Sequence, residues 1–172
     1  LTDTLDIINK GSNVLDNCRS YSLKELDRIT SENNNIDFTT YFSNIDGNKS
    51  NFDSLVAELS TISNSFSVIG IAETNIDPSL KALYPLTDYT SFYQDPIPDK
   101  DKGTGVAIYV HNSFNATVHH QTSQTSPYLE SLSLSIRKAG KSINILCIYR
   151  PPKATKTDKT HFINEFKTII SH

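Results

Sequence analysis

Three polar side chains in this sequence close runs of β-forming residues: Asn44 after F-T-T-Y-F-S, Glu73 after S-V-I-G-I-A and Tyr149 after S-I-N-I-L-C-I. Each therefore falls at the C-terminal end of a predicted strand. In sheets covered by helices, strand ends bring side chains from distant segments together and hold them rigidly. An amide, a carboxylate and a phenol gathered at one rim would form a shared polar site, with an anionic oxygen pair and hydrogen-bond donors beside it. Each residue also has a plainer reading. Asn44 serves equally as a turn former, Glu73 as a surface or helix-start acid, and Tyr149 as a core-edge aromatic with its hydroxyl in water.

The elements that must position these ends can be read from the pattern. Residues 1–37 are polar and Asn-rich, with one helix marked by the S-x-x-E capping box of Ser22 and Glu25 and by Leu23, Leu26 and Ile29 at helical spacing. This segment reads as a polar leader with a short helix, and the ordered body, 38–172, begins near Phe38. After Asn44 comes the turn N-I-D-G-N, then a helix with Ser50 as its cap and Phe52, Leu55, Val56, Leu59 and Ile62 on one face. S-V-I-G-I-A is continuously apolar, as a strand covered on both faces would be. Y-T-S-F-Y reads as a short strand, and P-I-P-D-K-D-K-G-T-G is a turn region leading into the strand V-A-I-Y-V.

Y-L-E-S-L-S-L-S-I alternates strictly, so Leu132, Leu134 and Ile136 share a face with Glu130 while Ser131, Ser133 and Ser135 point the other way. The turn A-G-K joins it to S-I-N-I-L-C-I-Y as an antiparallel hairpin ending at Tyr149. After Asp158, the residues Phe162, Ile163, Phe166, Ile169 and Ile170 fall on one helical face. This order of elements predicts an α/β chain with a mixed sheet covered by helices, and no internal repeat is evident.

Composition sets the bounds. With 172 residues and 37% hydrophobic content the chain suffices for one domain with its own core, and eight Phe and eight Tyr argue against wholesale disorder. No apolar run is long enough to span a membrane and no leader pattern is present, which points to an intracellular protein. Cys18 and Cys147 lie far apart in unlike surroundings and read as unpaired thiols. G-T-G is not followed by G-K-[ST] and runs into a strand, which excludes a phosphate-binding nucleotide loop. The net charge of -3 does not advertise nucleic-acid binding. Even so, Arg137, Lys138, Lys141, Arg150, Lys153, Lys156 and Lys159 face the single acid Asp158 across one segment. That segment reads either as a phosphate-facing stretch or as a solvated loop.

Taken together, F-S-N-I-D-G-N-K-S-N-F-D-S-L, F-S-V-I-G-I-A-E-T-N-I, K-G-T-G-V-A-I-Y-V, Y-L-E-S-L-S-L-S-I and C-I-Y-R-P-P resemble the endonuclease/exonuclease/phosphatase family. The branch resembled is the DNase I-like, AP-endonuclease-like domain of non-LTR (LINE-type) retrotransposon polyproteins. The motifs appear in order and cover the chain from about residue 38 onward. C-R-S-Y-S-L-K-E-L upstream resembles the leader that precedes this domain in such polyproteins. The resemblance implies a four-layer α/β sandwich, here incomplete, that cleaves DNA phosphodiesters with Mg²⁺ (Mn²⁺ as an alternative) and leaves a 3′ hydroxyl to prime reverse transcription. Its implied partners are target DNA, in the nucleus, and the remainder of a polyprotein with a reverse transcriptase.

On this resemblance Glu73 matches the metal-holding carboxylate and Asn44 the asparagine that lies on or beside the metal. Tyr149 matches the tyrosine of Y-R-P-P, whose hydroxyl can donate toward the phosphate. Glu130 matches a less strict family acid that would orient a histidine, and Arg150 and Lys153 are candidates for DNA contact. Departures are also visible. The branch carries N-I-R-S-L where this chain has N-I-D-G-N, E-T-W-L where it has E-T-N-I, and G-G-G-V where it has G-T-G-V. The later motifs G-D-F-N and S-D-H have no counterpart, so the sequence reads as the N-terminal part of the domain; both ends look cut, since it starts at Leu1 and F-K-T-I-I-S-H stops inside a helical pattern without a Gly or Pro terminator.

Two expectations follow from that reading: no appreciable nuclease activity, and a second sheet drawn mainly from elsewhere, leaving an open apolar face and a marginal fold. The rival functions are a non-catalytic DNA-binding or interaction remnant and a phosphatase-type member of the same superfamily.

Overall fold

The computed structural model describes residues 22–32, 38–96, 104–151 and 155–171. In the first sheet, β1 (Thr40–Asn44) runs parallel to β2 (Val68–Ala72), and the parallel pairing requires a crossover, which α2 (Asn48–Ser60) supplies. β4 (Val106–His111) pairs antiparallel with β2 on one side and with β3 (Tyr89–Gln94) on the other. A single 3₁₀ segment, Pro78–Leu83, lies between β2 and β3.

The second sheet is centred on β7 (Glu130–Lys138). One edge of β7 carries β8 (Lys141–Tyr149), the other β5 (Asn115–Val118) and β6 (Gln124–Thr125). This sheet corrects the expectation that the second layer must come from elsewhere. Val68, Ala72, Val106, Ile108 and Val110 pack against Leu132, Leu134, Ile136, Cys147 and Tyr149 in one buried cluster. At about 2 kcal/mol for each fully buried aliphatic side chain, such a cluster suffices to hold two layers together. β5 and β6 escape sequence reading because one is four residues long and the other two, and both are polar enough to pass for loop.

A second cluster covers the outer face of the first sheet, where Ile69, Ile71, Ala107 and Tyr109 meet Phe52 and Leu55 of α2. Alternate residues of β2 and β4 thus serve opposite cores, which is why both strands read as unbroken apolar runs. The serine face of β7 is buried as well, and Ser131 and Ser133 bond to the β5–β6 connection.

The helices partly depart from expectation. α2 begins at Asn48 with Gly47 at its cap, so Ser50 lies in the first turn and caps nothing. Val56 is exposed. The Ser22–Glu25 capping box forms at α1 (Leu23–Glu32), whose Leu26 packs on the outer core and whose Asp27 accepts from the Ser63 N–H. α3 (Lys156–Ile170) starts earlier than read, at a Thr155–Asp158 capping box. Its apolar residues do not form one buried face: only Ile169 is buried, while Ile163 and Ile170 are exposed. The helix is anchored to the β6–β7 connection by a Ser126–Glu165 hydrogen bond and a Tyr128–His161 ring stack. Cys147 is a free thiol between the sheets, its pKa pushed up to about 12 by burial; Cys18 falls outside the described residues.

Candidate functional site

β1 and β2 end together, with Asn44 opposite Ala72, and the chain keeps pairing beyond both ends. The Ile45 N–H donates to the Ala72 carbonyl at 3.2 Å, Gly47 to Glu73 at 2.8 Å and Asn48 to Thr74 at 2.8 Å. On the other flank Thr74 donates to Gly105 at 3.1 Å and Asn75 to Thr104 at 3.0 Å. Three loops are thereby zipped into one floor. The floor contains left-handed residues in a row, Asp46 at φ 47°, Glu73 at φ 56° and Asn75 at φ 48°. A left-handed conformation costs an L residue about 1–2 kcal/mol, and here the surrounding hydrogen bonds hold it.

The left-handed backbone at Glu73 presents its carboxylate at the rim of both sheets. Glu73 Oε1 accepts from Asn44 Nδ2 at 2.8 Å and from the Tyr149 hydroxyl at 2.7 Å. Glu73 Oε2 accepts no hydrogen bond among the described residues. The structure thus brings Asn44, Glu73 and Tyr149 to one point, from two strands of the first sheet and one of the second.

Asn44 uses both ends of its amide, since its Oδ1 accepts from the Asp46 N–H at 3.2 Å. Turning the amide over would set NH₂ against N–H and break both bonds, so the orientation is determined. In this arrangement Asn44 holds Glu73 through its NH₂, while its Oδ1, which accepts the Asp46 N–H, keeps a second lone pair. Tyr149 is buried, and its phenol lies well above the ordinary range because of burial first, then the hydrogen bond to Glu73 and the nearby carboxylate charges. It therefore stays protonated and remains a donor at physiological pH.

Glu130 pairs with Tyr149 in the β7–β8 register but turns its carboxylate to another task. Buried at 0% exposure, it accepts from the Thr104 hydroxyl and from the Gly105 N–H at 2.5 Å. It therefore braces the third loop of the floor, where the sequence reading had it orienting a histidine. The described histidines are engaged elsewhere: His111 with Ser113, His161 against Tyr128, and His119 and His120 exposed. Gly105, at φ 87°, is a position where a Cβ would lie 2.4 Å from Thr74 Oγ1, so only glycine fits between the second and third loops. The G-T-G string signalled a turn without showing that Glu130 grips it.

Arg150 is exposed at the same rim, its guanidinium 5.9 Å from the Phe162 ring centroid, and it joins no ion pair among the described residues. Lys153 lies outside the described residues. The basic segment is not one phosphate-facing stretch. Arg137, Lys138 and Lys141 sit at the far end of the hairpin from Tyr149 and Arg150. The departure from N-I-R-S-L has a visible consequence at Asn48, which is 1% exposed with neither amide atom bonded.

No protein-family profile matches this sequence, and no curated protein is detectably similar. Solved structures are similar in fold. The endonuclease domain of TRAS1, a telomere-specific non-LTR retrotransposon, matches with a TM-score of 0.51 and 15% identity over 74% of this chain and 52% of that one. D. rerio TDP2 complexed with single-strand DNA product matches at 0.53 and 15% identity over 78% of this chain and 55% of its own. A D. rerio TDP2 humanized by 14 mutations matches at 0.52 and 13% over 78% and 58%. The fold is therefore the DNase I-like mixed α/β sandwich. The chain spans between 52% and 58% of the length of these solved chains.

Proposed function

We propose that the Glu73 rim is the phosphodiester site of a metal-dependent DNA endonuclease of the retrotransposon type. The observation that carries this reading is one carboxylate whose first oxygen is held by Asn44 and Tyr149 while its second is left open. The solved neighbours support it, since one is a retrotransposon endonuclease domain and another was solved with a DNA product.

The residues present fit a hard divalent cation. Mg²⁺ takes oxygen ligands, commonly one or two carboxylates with waters and substrate phosphate completing the shell. Glu73 Oε2 is such an oxygen, and with no group of three or more His, Cys, Asp or Glu side chains placed to hold a metal among the described residues, Glu73 would be the one carboxylate of the shell. When bound, Mg²⁺ or Mn²⁺ would offset charge developing on the phosphate and leaving oxygens. Asn44 and Tyr149 fix the carboxylate before substrate arrives, so no reorganisation is needed at that step. The single phenolic proton of Tyr149 is committed to Glu73, and Tyr149 turns to a phosphate only by releasing the carboxylate. Arg150 at the rim supplies a cation for the DNA backbone.

What these residues do not supply is a base for the attacking water. General-base help is worth about 10²- to 10⁴-fold, so on this reading the 172 residues bind metal and DNA phosphate but hydrolyse poorly. Priming of reverse transcription then belongs to the longer polyprotein of which the chain would be part. Titration of the chain with Mn²⁺, followed by NMR, tests the assignment. Paramagnetic broadening should centre on the Asn44 side-chain amide and Tyr149 and vanish in Glu73→Gln. Broadening centred elsewhere would sink the metal assignment. Mg²⁺-dependent nicking of supercoiled plasmid that disappears in Glu73→Ala would instead overturn the poor hydrolysis while keeping the nuclease.

A further inference from the structure

The turn of the β7–β8 hairpin gathers features that folding alone does not favour. Lys138 and Lys141 are direct cross-strand partners, and like charges in that relation destabilise a hairpin. Ala139 between them is left-handed at φ 50°, a costly choice for the first position of a two-residue hairpin turn, whereas Gly140 at φ 78° is the residue such a turn ordinarily takes. Arg137 adds a third cation, and none of the three joins an ion pair among the described residues. Locally unfavourable choices that coincide at one exposed place point to function.

Two adjoining hollows share this turn. One, of about 190 Å³, has an apolar floor of Phe38, Phe114, Ile136 and Ile143 and the lysines at its mouth. The other, of about 480 Å³, is a shelf along Arg137, Lys138 and Lys141. Lys138 Nζ stands 4.5 Å from the Phe114 ring centroid, so its charge is held against the lining of the apolar hollow. The place is separate from the Glu73 rim. β7 spans nine residues from Glu130 to Lys138, and eight steps of about 3.3 Å put the two ends about 26 Å apart.

We propose that this turn is a docking site for an acidic peptide segment, which inserts one leucine- or phenylalanine-sized side chain into the apolar hollow and lays its carboxylates on the cationic shelf. Charge complementarity selects an anionic partner. The floor selects a peptide over a nucleic acid: a nucleobase buried there would lose the hydrogen bonds of its ring nitrogens and exocyclic groups, whereas a hydrocarbon side chain loses none. The anchor in a small pocket ringed by polar contacts is the usual anatomy of a peptide hot spot.

The test is fluorescence anisotropy of the intact chain with a short fluorescein-labelled peptide of Asp, Glu and Ser carrying one central Phe. The Phe peptide should bind at least about tenfold more tightly than its Phe→Ala counterpart. The Lys138→Glu/Lys141→Glu double variant should abolish binding, as should Ile143→Asp, which changes an exposed position without touching the turn. Glu73→Ala should bind unchanged, which keeps this site independent of the catalytic reading. Equal binding of the two peptides, insensitivity to the turn variants, no binding at all, or tighter binding of a thymidine oligonucleotide at the same turn would each overturn the proposal.

Discussion

At the Glu73 end of the sandwich, left-handed Asp46, Glu73 and Asn75 sit in loops tied to one another by backbone hydrogen bonds and braced from beneath by buried Glu130. At the hairpin end, left-handed Ala139 sits in an exposed turn, and a Cβ placed on its neighbour Gly140 would meet nothing within 4 Å. Similar backbone strain is thus built into a rigid frame at one end and left free at the other. Strain inside a frame preorganises a carboxylate, because no alternative conformation keeps the hydrogen bonds. Strain in the open turn closes the two-residue hairpin and sets the β7–β8 register, and it holds no polar side chain in place.

The sharpest way to break this contrast is Gly105→Ala. The new methyl would meet Thr74 Oγ1 and a left-handed backbone together, and we expect a loss of about 3 kcal/mol or more in chemical denaturation. A loss under about 1 kcal/mol would mean that the floor is pliable and the contrast false. Asn48→Leu should act in the opposite direction, because it replaces a buried amide that has no partner with the hydrocarbon that the position suits. A gain of about 1 kcal/mol is expected from the midpoint shift. If the variant is instead destabilised, that amide is satisfied in solution. The smallest effect belongs to the hairpin end, where Ala139→Gly relieves strain but adds freedom to the unfolded chain. The net gain should be about 0.5 kcal/mol, with slow hydrogen exchange at Thr74 and Asn75 unchanged. Altered protection there would show that the two ends are coupled.

Much of this was legible from the residues themselves. Unbroken apolar runs marked β2 and β4, alternation marked the inward face of β7, and the S-x-x-E pattern marked α1, because period and capping are local properties. Asn44, Glu73 and Tyr149 could be singled out because each ends a strand. α3 was harder: its five apolar residues share a helical face, yet the helix is tied to the β6–β7 connection by polar and ring contacts and buries Ile169 alone.

What the chain settles by itself is the longer strands and the helices, though not β5 and β6, and which polar residues stand at the strand ends, since these follow from neighbours within a few positions. Only the tertiary structure decided that Asn44 and Tyr149 share one oxygen of Glu73 and that Glu130 holds a loop. It also decided that Arg137, Lys138 and Lys141 stand at the opposite end of the hairpin from the rim that Arg150 occupies. Those facts depend on strand pairing and on how the two sheets stack, which join residues as many as 76 positions apart. Local preference carries no information about such pairings.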